Sequence, residues 1–269
     1  MIHLENIFMR PELYPSFLYG STISPECILV FGLLLILSMD LIGYRQKTTF
    51  LCLIALASLL VAEAVLSSEP KAKSVTTFLD LFRLNDFSRI FQSLVVLSSI
   101  ICLFLSVEYI NRTGTAITEL LIFLLMGTIG GMFLCSANDL VTIFVSLECL
   151  SLCSYLLCSY TKKDIRSNEA AIKYLLMGGL NSSIFVYGFS WLYGLSGGKI
   201  DIKNIANSFS IETSDSTGFF IALTCIAIGL AFKLSLVPFH QWTPDIYEGV
   251  RPVVQIIEIV HTMDCFINF

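Results

Sequence analysis

The sequence predicts an all-α protein, a bundle of about seven transmembrane helices whose last helix is broken by prolines. Of the 269 residues, 55% are hydrophobic and only 14% are charged, whereas charged residues make up roughly 25% of a soluble globular domain. The mean hydropathy is +0.80. Apolar runs recur along the chain, and each is long enough to cross about 30 Å of hydrocarbon. These observations indicate an integral membrane protein.

Seven segments are apolar over the roughly 20 residues that a membrane-spanning helix needs. They lie at 24–43, 49–67, 88–107, 115–135, 138–160, 168–193 and 217–237. Each is expected to be helical, because an open strand in lipid leaves backbone groups without hydrogen bonds and a barrel strand would alternate in polarity. We therefore predict one membrane domain over 24–249, with an N-terminal segment at 1–23 and a tail at 250–269.

Two connections between these segments are long and polar. Residues 68–87 form one, and residues 195–216 form the other, which continues after a Ser-Gly-Gly turn as an amphipathic stretch that fits a short helix at the membrane surface. With seven spans, both connections and the tight loop at 136–137 lie on one side of the membrane. The other side has the denser positive charge, which favours an N-terminus facing away from the cytoplasm-like side; its basic residues are Arg45, Lys47, Arg112, Lys162, Lys163 and Arg166.

Glu148 and Lys233 lie inside apolar segments, away from the polar loops. A charge near the hydrocarbon centre costs about 2.5–3.5 kcal/mol on insertion scales, so such residues usually pair and often mark an ion or proton path. A lysine in this setting binds its proton more tightly when a carboxylate approaches and less tightly when the carboxylate withdraws. The pair is therefore a candidate proton-binding site. The alternative is an ion pair that only locks two helices together.

Two further residues complete the predicted proton relay. Lys173 lies about two turns into its helix, so its ammonium either points inward or snorkels back to the membrane surface. His240 lies between two prolines six residues apart, which end or kink a helix and free carbonyls where the chain lines a polar cavity. Histidine changes charge near neutral pH; the alternative is a surface loop with an exposed histidine. The predicted relay consists of Glu148, Lys173, Lys233 and His240.

Other residue patterns argue against several kinds of site. The nine cysteines are scattered mostly through apolar runs, and only Cys149 and Cys153 stand one helical turn apart, so we expect small buried residues and no iron–sulfur or zinc site. The net charge of −5 is not concentrated in one block, which argues against nucleic acid as a partner. Asp139 is expected to cap the helix that bears Glu148.

A group of motifs is shared with one known family. The most specific is Pro-Phe-His-Gln-Trp-Thr-Pro-Asp at 238–245, preceded by Phe232 and Lys233. The span with Glu148 and the stretch Tyr-Leu-Leu-Met-Gly-Gly at 174–179 fit the same pattern, as do segments at 106–110, 130–135, 151–156, 160–169 and 188–194. Over about residues 20–249 the sequence resembles the antiporter-like membrane subunits of respiratory complex I and its photosynthetic relatives. It most resembles the subunit 2 branch of the chloroplast NAD(P)H–quinone oxidoreductases.

The resemblance implies the first half of an antiporter-like subunit, in which a mid-membrane glutamate, here Glu148, pairs with lysines, here Lys173 and Lys233. It implies a proton-translocating subunit of an enzyme complex in the chloroplast thylakoid membrane that passes electrons to plastoquinone. NAD(P)H or ferredoxin, iron–sulfur clusters and plastoquinone would act in other subunits, and this chain would bind no cofactor or metal. Its partners would be the other membrane subunits, lipid and protons, not nucleic acid.

The resemblance stops at Gly249, and the tail at 250–269 does not resemble the continuation of the family, in which another lysine-bearing helix and a second repeat follow. We therefore expect a truncated chain. One hypothesis is translation of an unspliced intron, because Val250-Arg251 can be encoded by GUG-CGN, the start of a group II intron; sequencing the mature transcript tests it. The alternative functions are a stand-alone cation/proton antiporter and a truncated product without catalytic function.

Overall fold

The computed structural model describes residues 24–42, 48–68, 75–77, 81–113, 117–161, 164–211, 216–250, 252, 254–257 and 259. The predicted N-terminal segment 1–23 lies outside these ranges, and so does most of the tail. Within the described ranges, six helices are long and apolar enough to cross a membrane. They are α1 (Ser24–Leu41), α2 (Thr48–Ser68), α3 (Asp86–Thr113), α4 (Ile117–Ser136), α5 (Leu140–Cys158) and α6 (Ile165–Leu195).

The remaining helices are shorter. An amphipathic helix, α7 (Ile202–Ile211), confirms the helix expected after the Ser-Gly-Gly turn. The seventh predicted span is α8 (Ser216–Lys233), which ends four residues earlier than the apolar pattern suggested, and α9 (Trp242–Gly249) follows after an interruption. The predicted all-α bundle with a broken last helix is thereby confirmed.

A small antiparallel hairpin lies within the polar connection 68–87. Strand β1 (Val75–Thr77) pairs with strand β2 (Phe82–Leu84), with Thr76 opposite Arg83. No strand was predicted here from the sequence. Strand β1 consists of β-branched residues and strand β2 begins with an aromatic residue, types that favour extended backbone, but three residues are too few to show a clear period of two.

Backbone hydrogen bonds join the loops that were predicted to share one side of the membrane. The N–H of Asn138 donates to the carbonyl of Leu81 at 3.0 Å, the N–H of Leu140 donates to Ile200 at 3.3 Å, and the N–H of Ile202 donates to Asn138 at 3.4 Å. The connector 137–139 is therefore held on both flanks, which confirms this part of the predicted topology. Of the basic residues that suggest the membrane orientation, only Arg166 has a described side chain, and the orientation remains a prediction.

The apolar core centres on α4, which packs against α1, α2, α3 and α5. Helix α6 packs mainly against α8 and also contacts α5 and α9. The beginning of the tail belongs to the same core, since Val250, Val254 and Ile257 are buried in one cluster with Trp242 and Ile246. This arrangement brings α5, α6, α8 and α9 together around the predicted site.

Candidate functional site

Glu148 and Lys233 form an ion pair between two helices. Glu148 lies near the middle of α5 and Lys233 is the last residue of α8. The Lys233 Nζ lies 3.4 Å from Glu148 Oε1, and the two side chains are only 12% and 24% exposed, respectively. Asp139 is the N-cap of α5, as predicted, and its N–H donates to Thr142 Oγ1 at 3.3 Å. The predicted pairing of Glu148 with Lys233 is present in the structure, whereas the role of this pair in proton transfer remains a prediction.

Helix α8 ends directly after Lys233 through a local backbone motif. Ser235 adopts a left-handed conformation with φ of 54°, and the N–H of Leu236 donates to the carbonyl of Ala231 at 2.8 Å. This six-to-one hydrogen bond defines a Schellman ending, usually formed with glycine at the left-handed position. The helix therefore ends before Pro238 is reached. The interruption lies where the sequence predicted it, but it begins at this motif and not at the prolines.

Lys173 lies apart from this pair. Its Nζ is 2.9 Å from Glu169 Oε1 and 3.9 Å from Asp245 Oδ2, and its side chain is 52% exposed. The surrounding pocket of about 240 Å³ is polar and open; its charged lining residues are Arg166, Glu169, Lys173, Asp245 and Glu248. The expected pairing of Lys173 with Glu148 is wrong for the described side chains. Lys173 is near the start of α6, where carboxylates of α6 and α9 are closer than the middle of α5.

His240 lies in the interruption between α8 and α9 and is exposed. Its backbone carbonyl accepts a hydrogen bond from the N–H of Thr243 at 3.1 Å and so helps to start α9. The position agrees with the alternative of an exposed loop histidine. A role for its imidazole in the relay remains a prediction.

Asn181 supports the end of α8 and was missed by the sequence analysis. It is buried in α6, and its Nδ2 donates to the carbonyl of Gly229 at 3.0 Å, one helical turn before Lys233. A Cβ on Gly229 would stand 2.5 Å from the ring of Phe185, so the close approach of the two helices requires glycine at this position. A lone amide in an apolar span was the available signal in the sequence.

The Asn181→Ala substitution is expected to lower the melting temperature of the purified chain by about 2–4 °C. It removes one interhelical hydrogen bond, which contributes about 1 kcal/mol. Ser182→Ala is the matched control, because the Ser182 hydroxyl is exposed and donates only to Gly179 of its own helix. Equal melting temperatures for the two variants in detergent would show that the Asn181–Gly229 contact contributes nothing measurable.

Tyr155 lies on α5 two turns beyond Glu148 and was not predicted as part of the site. It is buried, and the hydroxyl of Ser151, one turn before it on α5, donates to the carbonyl of Glu148 at 3.1 Å. The phenol lies over Gly178 of α6, where any Cβ would overlap its oxygen. Glycine in the motif at 174–179 therefore makes room for a residue of the neighbouring helix.

Two family models match separate parts of the chain. One describes the N-terminal region of NAD(P)H-quinone oxidoreductase subunit 2 and matches residues 9–108. The other describes the transmembrane region of the NADH:quinone oxidoreductase/Mrp antiporter proteins and matches residues 137–269. The second match includes the tail 250–269, in which the sequence analysis found no resemblance.

Solved structures of three membrane complexes contain chains of similar fold. Respiratory complex I from Thermus thermophilus with bound aureothin matches with 25% identity and a TM-score of 0.72, over 90% of this chain and 52% of that one. An archaeal membrane-bound sulfane sulfur reductase matches with 20% identity and a TM-score of 0.72, over 86% and 48%. The Mrp complex from Dietzia sp. DQ12-45-1b matches with 21% identity and a TM-score of 0.68, over 86% and 44%.

The chain thus spans about half the length of the chains it resembles. The two family models nevertheless cover both ends of its membrane domain, and the fold agrees over most of its length. Together with the broken helix and the Glu148–Lys233 pair, these matches define its relationship. The chain belongs to the NADH-quinone oxidoreductase subunit 2 and antiporter-like family of membrane subunits.

Proposed function

We propose that the protein is a proton-translocating membrane subunit of a quinone-reducing oxidoreductase complex. The observation that carries this proposal is the Glu148–Lys233 ion pair, formed at 3.4 Å where α8 is interrupted. A purely structural contact between apolar helices is achieved at lower cost with small residues. Ionisable side chains at this depth instead suit a path for protons.

The geometry suggests how the pair exchanges a proton. A proton that binds the Glu148 carboxylate removes its negative charge, and the Lys233 ammonium loses the partner that stabilises its own charge. Lys233 then releases one proton to an acceptor further along the membrane domain, so that one proton enters and one leaves. The pair is reset when Glu148 passes its proton to the neutral amine of Lys233, 3.4 Å away, so that each cycle takes up one proton at Glu148 and releases one from Lys233.

The remaining chemistry belongs to other subunits in this proposal. Electrons from NAD(P)H or ferredoxin would pass through iron–sulfur clusters to plastoquinone outside this chain, and the complex would lie in the chloroplast thylakoid membrane. These details rest on the sequence resemblance to the subunit 2 branch. Partners would be the other membrane subunits of the complex and the surrounding lipid.

A stand-alone cation/proton antiporter is the second candidate. The family model for residues 137–269 includes Mrp antiporter proteins, and a chain of an Mrp complex shares the fold. The Glu148–Lys233 pair and the interrupted helix fit this second function as well. The two candidates differ in the proteins with which this chain associates.

Affinity purification from the native membrane separates these candidates. If the protein belongs to a quinone-reducing complex, a tagged chain is expected to copurify with iron–sulfur subunits. The ratio of the tagged chain to these subunits is expected to stay constant when the affinity-purified sample is then separated by size. An equally abundant tagged membrane protein from the same membrane is the control. Recovery with other antiporter subunits and without iron–sulfur protein would favour the antiporter.

A further inference from the structure

Four aromatic rings connect the elements that carry the charged residues of the site. They come from α5, α6, α9 and the last turn of α8, and we call them the aromatic ladder: Tyr155, Tyr174, Trp242 and Phe232. The Tyr155 and Tyr174 centroids lie 4.4 Å apart with the rings edge to face, whereas Tyr174 stacks on Trp242 at 4.9 Å and Trp242 on Phe232 at 5.1 Å. Each spacing is within the range of favourable aromatic pairs.

Every ring of the ladder is close in sequence to a charge of the site. Phe232 directly precedes Lys233, and Tyr174 directly follows Lys173. Tyr155 lies two turns beyond Glu148 on the same helix, and Trp242 lies three residues before Asp245. A shift of one ring relative to its neighbour therefore shifts the charged residues of two different elements relative to each other.

Trp242 is the central member, because it stacks between two rings and is itself buried. It is the first residue of α9, at the point where the chain becomes helical again after the interruption. On one side it contacts the ring beside Lys233, and on the other it contacts α6. Trp242 thus joins the two halves of the broken helix where no continuous backbone hydrogen bonding does so.

We propose that Trp242 is a positioning residue that holds Lys233 against Glu148, acting through Phe232 and Tyr174. At 3.4 Å the ion pair is sensitive to small displacements of the last turn of α8. Phe232 belongs to that turn, and its stacking on Trp242 restrains the turn. The importance of this restraint for proton transfer rests on the proposed function, whereas the restraint itself is a property of the fold.

A double-mutant cycle measures the restraint through the coupling of the two charges. Glu148→Gln, Lys233→Met and the double substitution are made in the 269-residue chain, and melting temperatures are recorded in detergent. Each single variant leaves one half-buried charge without its partner, so the double variant is expected to melt about 3 °C above the value that additive losses predict. This non-additivity reports the ion pair and not the general stability of the bundle.

The same cycle is then repeated with the ladder interrupted. In the Trp242→Leu background the non-additivity is expected to fall below about 1 °C, and in the Trp242→Phe background, which keeps an aromatic ring, it is expected to return. Trp191→Leu is the matched control, because Trp191 is the other tryptophan of the chain and forms its ring contact with Tyr187 of its own helix. The control is expected to keep the full non-additivity.

Unchanged non-additivity in the Trp242→Leu background would overturn the proposal. If that variant does not fold, Phe232→Leu replaces it, since it removes the ladder ring beside Lys233, and the same criterion applies. The cycle requires no proton transfer. If the chain transfers no protons but the non-additivity is lost in the Trp242→Leu background, the proposed function is refuted and the positioning role is supported. If the chain transfers protons and the non-additivity is unchanged in that background, the positioning role is refuted and the proposed function is supported.

Discussion

Replacing Lys233 by Ala is expected to lower proton transfer by the assembled complex by about a hundredfold, the scale on which a positioned proton donor contributes to a reaction. The substitution removes the ammonium that lies 3.4 Å from Glu148 and leaves the carboxylate without its ion pair. Transfer is measured in sealed vesicles with a pH-sensitive dye while the complex turns over. The amount of assembled complex is measured in the same membranes.

Lys233→Arg separates the charge from the exchange of a proton. An arginine keeps a positive charge beside Glu148 but does not release a proton in a protein, so we expect normal assembly and the same loss of transfer. Lys199→Ala is the control, because Lys199 is an exposed lysine in the connection between α6 and α7. Normal assembly with undiminished transfer in Lys233→Ala would refute the role assigned to this lysine.

Gly178→Ala is expected to give the largest loss of stability among single-methyl additions at the site. The new Cβ would overlap the Tyr155 hydroxyl and stand 2.5 Å from Cζ of the same ring. Tyr155 has little room to yield, because it is buried and packed edge to face against Tyr174. Overpacking of this kind costs about 1–3 kcal/mol, or roughly 5 °C in the melting temperature.

The neighbouring glycine is the matched control for this prediction. A Cβ on Gly179 would meet no atom within 4 Å, so Gly179→Ala is expected to keep the melting temperature or raise it slightly, since alanine favours a helix by up to about 1 kcal/mol relative to glycine. Both variants are compared by thermal unfolding in the same detergent. A similar melting temperature for the two would contradict the packing of Tyr155 against α6.

The parts of the fold that follow from the membrane itself were predictable from sequence. Hydrocarbon imposes a minimum length and a low polarity on each span, so the apolar runs located the six long helices and α8. The same physics singled out Glu148 and Lys233, because uncompensated charge in an apolar helix is costly and pairing reduces that cost. Their contact at 3.4 Å joins residues 85 positions apart in the chain.

Features that depend on which helix faces meet were not predictable. Helix α6 shows no distinct apolar face in its sequence, so the sequence did not reveal that Lys173 pairs with Glu169 and Asp245. The hydrogen bond of Asn181 likewise requires knowledge of the α6–α8 contact. The Schellman ending of α8 was hidden because a serine occupies the position at which glycine would have been recognised.

The paired backbone around residues 137–139 ties this connector to Leu81 on one flank and to Ile200 and Ile202 on the other. Through Ile202 this connector also anchors α7, which leads into α8, whereas the far end of α8 stops at Lys233. The 18 residues of α8 make it about 27 Å long. A tilt of α8 by about 5° about its first turn would displace Lys233 by about 2 Å. This displacement is enough to separate the Lys233 amine from the Glu148 carboxylate.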